Sequence, residues 1–188
     1  MEHKQTISTK KIVLAALMAA LTIVGSAIRI TIPIDIAGTT SFHLGNIMCA
    51  LSGILLGPWL GGLAAGLGSF LYDMTNPIYV SEAWLTFLMK GAYGLAVGLV
   101  IAAFRYNWGY WKAIAATSVG AAFYAVLYLA KNYLETMIVQ GVSASGALVA
   151  ITTRLPATIF NAAVAIIFAP LLAVSIRKAL KQNHIDLK

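Results

Sequence analysis

Lys90, Lys131, Glu135 and Arg154 stand in otherwise uncharged stretches of this sequence, and their surroundings limit what they can do. Tyr124, Tyr128, Lys131 and Glu135 are spaced four, three and four apart, which at about 100° per residue puts them in one helical stripe ~60° wide. Arg154, Thr158 and Asn161 share a face by the same arithmetic, and Lys90 lies about two helical turns from Glu82, with Phe87 and Tyr93 nearby. Cations, a carboxylate, hydrogen-bonding groups and aromatic rings, with Trp84, Tyr93 and Tyr128 as candidate ring faces, are what the recognition of a small ring-bearing solute requires. Two simpler readings stand beside this one: Lys131 and Glu135 satisfy each other as an i,i+4 pair, and the tyrosines form an interfacial aromatic belt. His43 and Asn46 open another apolar run, with no second histidine or carboxylate at metal-ligand spacing, so no metal site or cofactor is expected. Asp73, Asn76 and Glu82 flank the turn YDMTNPIYVSE, where helix-end and turn roles also suit them.

The elements that carry these residues follow from composition. Of the 188 residues, 60% are hydrophobic and 10% charged, with a mean hydropathy of +0.85; a soluble domain is about half apolar and a quarter charged. The expectation is an all-α integral membrane protein in one domain, residues 1–188, with six transmembrane helices. The net charge of +7 has no aromatic-interleaved basic stripe to read as nucleic-acid binding. Cys49, the single cysteine, excludes an intrachain disulfide and a thiolate metal cluster. The apolar run from Ile12 to Ile28 is longer than a signal-peptide core and is taken as a retained first helix.

Charge boundaries give spans at about 12–31, 83–104, 111–135 and 147–176. The long uncharged stretch between His43 and Asp73 is broken at Gly57-Pro58. It reads as two short helices, 43–57 and 59–73, or as a re-entrant hairpin, because each rises only ~22 Å against a hydrocarbon thickness of ~30 Å. Lys4, Lys10 and Lys11 at one end and Arg177, Lys178, Lys181 and Lys188 at the other predict cytoplasmic tails, 1–11 and 179–188, and an even span count. Arg105 and Lys112 then also lie inside, while Arg29, Lys90, Lys131, Arg154, Asp35, Asp73, Glu82 and Glu135 map to the outer half, with segments 33–42, 74–82 and 137–146 outside.

Small residues form further stripes: Ala15, Ala19, Thr22 and Ser26 with Ala16 and Ala20 beside them, Gly62 and Gly66 with Ala65 and Ser69, and Gly94 and Gly98. Such faces let helices approach closely. The glycine pairs suit internal packing, whereas the alanines, at the cytoplasmic end, suit a partner subunit.

The order AALMAA, FHLGN, LLGPWLGGLAAGLGS, YDMTNPIY and FLMKGAYGLAVG resembles the substrate-binding (S) components of energy-coupling factor (ECF) transporters over nearly the whole chain. Within that group it is most similar to those assigned to hydroxymethylpyrimidine or pyridoxine-like vitamins; pantothenate, riboflavin and folate are the alternative vitamins. The resemblance implies a multi-pass protein of a bacterial plasma membrane. That protein captures a vitamin outside and works with a transmembrane coupling subunit and two ATPase subunits. It implies that Ala15, Ala16, Ala19 and Ala20 contact the coupling subunit and that residues 33–42 form a lid. It also implies that Lys90, Lys131, Asn132, Glu135, Arg154 and Asn161 line the ligand. The chain has no phosphate-binding glycine-lysine-serine loop and no acidic pair for magnesium, so it is not expected to be an enzyme or to hydrolyse ATP itself. A stand-alone secondary transporter and a membrane-embedded enzyme are the competing classes; the first lacks a convincing internal repeat and the second a cluster of catalytic groups.

Overall fold

The computed structural model describes residues 8–34 and 38–183. Asp35, in the expected lid, lies outside them, as do Lys4 and Lys188 of the expected tails. Six helices follow in order: α1 (Thr9–Ala27), α2 (Gly45–Leu56), α3 (Pro58–Met74), α4 (Ala83–Ala103), α5 (Tyr110–Ile138) and α6 (Ala144–Gln182). A short 3-10 turn, Val80–Glu82, precedes α4. Four segments, Thr9–Ala27, Val80–Ala103, Tyr110–Ile138 and Ala144–Gln182, are long and apolar enough to cross a membrane. The shorter α2, with 12 residues, rises only ~18 Å, and α3, with 17, about 25 Å. The sixth helix runs further than the expected 147–176: its 39 residues give a length of ~58 Å.

The expected all-α architecture needs one correction. The first helix stops at Ala27, four residues short of the expected span, and β1 (Arg29–Ile34) pairs antiparallel with β2 (Gly38–His43), Arg29 opposite His43 and Thr31 opposite Ser41. The cause is local. Ile30, Ile32 and Ile34 alternate with Arg29, Thr31 and Pro33, a two-residue period that suits a half-buried strand, and proline at 33 disfavours helix. The expected lid loop is therefore largely a hairpin.

Glycine sets the spacing between α2, α3 and α4. Gly57, with φ of 77°, adopts a backbone that L side chains rarely take and lets α2 end as Pro58 starts α3. The two helices double back so closely that a Cβ on Gly61 would lie 2.6 Å from the Ser52 carbonyl oxygen. The paired glycines of α3 and α4 do the internal packing expected of them: a Cβ on Gly94 would sit 2.8 Å from the Gly61 carbonyl oxygen. Ile47, Leu51, Ile54, Tyr93, Val97 and Ile101 fill the core beside this seam.

The alanine stripe of α1 divides between two environments. Thr22 and Ser26 are buried, and Ala15 and Ala19 pack against the core, where a Cβ on Gly68 of α3 would lie 2.4 Å from the Ala19 carbonyl oxygen. Ala16 and Ala20 remain exposed beside Ile12, Val13, Leu17 and Val24. Half of the expected docking set thus serves the bundle itself, because those small side chains are what lets α1 lie on α3.

Candidate functional site

At the hairpin end of the bundle, α3, the turn before α4, and helices α4, α5 and α6 enclose a cavity of about 300 Å³. One wall is a tyrosine ladder. Tyr124 and Tyr128 sit four residues apart on α5, and Tyr93 of α4 stacks behind Tyr124; ring centroids are 5.3 Å apart for Tyr93–Tyr124 and 6.1 Å for Tyr124–Tyr128, each pair inclined by 28°. The rings are stacked, an arrangement that suits aromatic quadrupoles, and Tyr124 and Tyr128 line the cavity.

Charged groups surround it. Lys90, on α4, donates from Nζ to Asn46 Oδ1 and lies 4.3 Å from the Tyr124 ring centroid. Arg154, on α6, is 6% exposed and reaches Tyr128 Oη at 3.3 Å through Nη1. Lys131 lies 2.5 Å from both Glu82 and Glu135, so the i,i+4 pair is real and has a third member that ties α5 to the turn before α4. Asn132 donates to the Tyr128 carbonyl at 2.7 Å, and His43 Nδ1 accepts from the Gly45 amide at 3.2 Å.

Of the residues singled out by sequence, His43, Asn46, Lys90, Tyr128, Lys131, Asn132, Glu135, Arg154 and Asn161 line this cavity. Two do not. Trp84 is 62% exposed and borders an apolar groove with Leu67, Phe70, Phe87 and Leu88. One position on α4 decides this, since Trp84 lies 600° from Lys90 and hence on another face. Tyr93 is fully buried behind Tyr124 and supports the ladder without reaching the cavity wall.

Other lining residues were named for other roles or passed over. Arg29, at the foot of β1, places its guanidinium 4.4 Å from the Tyr72 ring centroid and 4.6 Å from that of Tyr79, while Nε donates to the Ser26 carbonyl at 2.8 Å. Ser41 Oγ and Tyr79 Oη lie 3.2 Å apart, joining β2 to the turn after α3. Asp73 is buried and lines the cavity, beyond the helix-end role the turn suggested. Tyr124 was visible in the α5 stripe; Tyr72 and Tyr79 meet Arg29 only through folding of distant segments, and no periodicity announces that.

Asn161 does more than line the wall. Its Nδ2 donates to the Ser41 carbonyl at 2.8 Å and its Oδ1 accepts from the His43 amide at 3.0 Å. A primary amide offers one acceptor and two donors, so Asn161 gives β2 what a neighbouring strand would. Asn161→Leu should therefore cost about 1–3 kcal/mol by leaving two backbone groups unpaired. Hydrogen exchange should speed up at 38–43 more than in α4, whereas uniform acceleration would mean that the residue merely packs.

The apolar helical bundle is that of a multi-pass membrane protein, with a polar, tyrosine-walled cavity at one end. Residues 6–178 match the family described as ECF-type riboflavin transporter, S component, and the chain belongs to that family. An uncharacterized protein in the gap 3'region of Pyrococcus woesei is 39% identical over 79 residues, 42% of this chain and 50% of its own length. A UPF0397 protein of Streptococcus gordonii (strain Challis) is 33% identical over 95 residues, 50% of this chain and 48% of its own. The chain spans about half the length of these curated relatives. No solved structure matches it significantly.

Proposed function

We propose that this chain captures a small, water-soluble, ring-bearing vitamin on the outer face of a cell membrane and releases it inward through a separate coupling subunit driven by two ATPase subunits. The observation that carries the reading is the cavity, where a stacked tyrosine wall faces charged and amide groups from three helices. Membership in a family of transporter S components supports transport over catalysis. A volume of about 300 Å³ is at the lower end for ligand pockets. That small size favours a one-ring vitamin of the hydroxymethylpyrimidine or pyridoxine type. Riboflavin is the second reading, favoured by the family's description. Calorimetry on the purified chain in detergent, without ATPases, should detect stoichiometric binding of a one-ring vitamin. Binding of riboflavin alone would move the assignment to the second reading, and binding of none of these vitamins would overturn it.

Six crossings with both termini inside are part of the proposal. Lys112 donates to the Asn107 carbonyl and Arg177 stacks 4.5 Å from the Trp108 ring centroid, so these basic residues gather about the α4–α5 connection, far along α5 from the cavity. The positive-inside rule then turns the cavity outward. In a Cys49→Ala background, a cysteine at Ser143 should react with an impermeant thiol reagent in whole cells and one at Gly109 should not; the reverse pattern would invert the orientation.

The exposed half of the alanine set is the proposed contact with the coupling subunit. Ala16→Trp or Ala20→Trp should abolish uptake and co-purification while leaving vitamin affinity within about threefold, a change of under ~0.7 kcal/mol. Ala19→Trp, crowded against α3, should instead lower the melting temperature of the isolated chain. Equal loss of ligand affinity in all three would show that the face is needed internally.

A further inference from the structure

The tyrosine ladder explains how a ring is held; Lys90 bears on which ring it is. The residue is 6% exposed, and the groups it touches, Asn46 Oδ1 and the Tyr124 ring face, are both neutral. Among the described residues no carboxylate lies within ion-pair distance of its ammonium, whereas Lys131 has two. The cavity wall carries Arg29, Lys90, Lys131 and Arg154 against Asp73, Glu82 and Glu135, one cation in excess. A buried ammonium whose direct contacts are dipoles, with the Asp73 carboxylate acting on it only from beyond ion-pair distance, is costly in a low-dielectric interior, and an anionic partner in hydrogen-bond range relieves that cost.

We propose that the ligand supplies that partner as an ionised oxygen carried directly on its stacked ring, as in a hydroxypyridine, so that the ring lies on the ladder while its oxygen meets Lys90 Nζ. This rests on the reading of the cavity as a vitamin site and deepens it to a substrate class. The geometry sets the attachment point. With Nζ only 4.3 Å from the Tyr124 ring centroid, an anion at the end of a long arm would have to carry its ring away from the ladder to reach the ammonium. An aminopyrimidine edge offers the ammonium only neutral ring-nitrogen acceptors, which add another dipole and no negative charge. Asp73, buried on the same wall, supplies the negative charge that suits a protonated ring nitrogen.

The test is calorimetry on the full-length chain in detergent with four probes: pyridoxine, its analogue lacking the 3-oxygen, hydroxymethylpyrimidine and riboflavin. Pyridoxine should bind about 10- to 150-fold tighter than the 3-deoxy analogue, the range expected for a hydrogen bond to a charged group. In Lys90→Met that gap should close to within about threefold, whatever the change in the analogue's own affinity. Equal binding of the two by the unaltered chain, a comparison that needs no variant, would overturn the proposal, as would a gap that survives in Lys90→Met. If hydroxymethylpyrimidine or riboflavin binds and pyridoxine does not, the vitamin site stands and the ionised-oxygen class falls. If none of the four binds, both fall together.

Discussion

Arg154→Ala is expected to weaken vitamin binding by about 10- to 150-fold, the equivalent of ~1.5–3 kcal/mol, while the ligand-free protein melts within a few degrees of the unaltered chain. The guanidinium is buried on α6, bonds the Tyr128 hydroxyl and lines the cavity, so it orients the last ring of the ladder and puts a positive charge at the wall. Removing it takes away a charged donor at the cavity wall, while Ala150, Ala157 and Ala165 keep the rest of the inward face of α6 small and apolar. Glu135→Gln, by contrast, should have a much smaller effect than its place in the α5 stripe suggests. Lys131 keeps Glu82, and partly exposed ion pairs contribute about 0–1 kcal/mol. Titration of both variants alongside thermal melts separates the cases: early melting of Arg154→Ala with normal affinity would make the α6 face structural and put the binding site elsewhere.

Gly98→Leu should be the most damaging single change away from the cavity, lowering stability by about 3 kcal/mol or more. A Cβ at position 98 would lie 2.4 Å from the carbonyl carbon of Gly57 and from the nitrogen of Pro58. These are backbone atoms at the α2–α3 break and cannot rotate away. The branched side chain would have to push α4 off that corner, and α2 would follow because Gly53 rests against the Gly94 carbonyl. Gly109→Ala is the matching control, since nothing lies within 4 Å of its would-be Cβ. Melting in detergent should separate the two clearly, and a Gly98→Leu protein as stable as the control would mean that the seam is loose in the membrane.

The legibility of this molecule follows the range of its interactions. The α5 stripe and the Arg154–Asn161 face could be read in advance because each is a periodicity within one helix, and the Gly57-Pro58 break because both residues act on their own backbone. The hairpin is hidden by hydrophobicity: Ile28, Ile30, Ile32 and Ile34 continue an apolar run, so the uncharged-stretch criterion extends the first span to 31 and leaves the rest as a loop. The Arg29–Tyr72–Tyr79 cluster and the double bond of Asn161 to β2 join residues from separate elements, 43 or more positions apart, so no window of sequence contains them. The alanine stripe was read correctly as a close-approach surface, yet a small side chain serves a neighbouring helix and a partner subunit equally well. Only the packing against Gly68 separates the two uses.

The pairing of Asn161 with β2 also bears on how this chain behaves in the company of its own copies. A two-stranded sheet has two open edges, and open edges recruit further strands. Here the β2 edge is closed by a single amide from α6. On the other side the alternation of an antiparallel ladder turns Arg29, Thr31 and Pro33 outward, and proline removes one of the donors a third strand would need. With exposed Ile30 and Ile32 on the same strand, an uncapped hairpin would be sticky in both side chain and backbone. Loss of Asn161 should therefore be felt during overexpression and concentration, as strand-to-strand self-association among crowded copies.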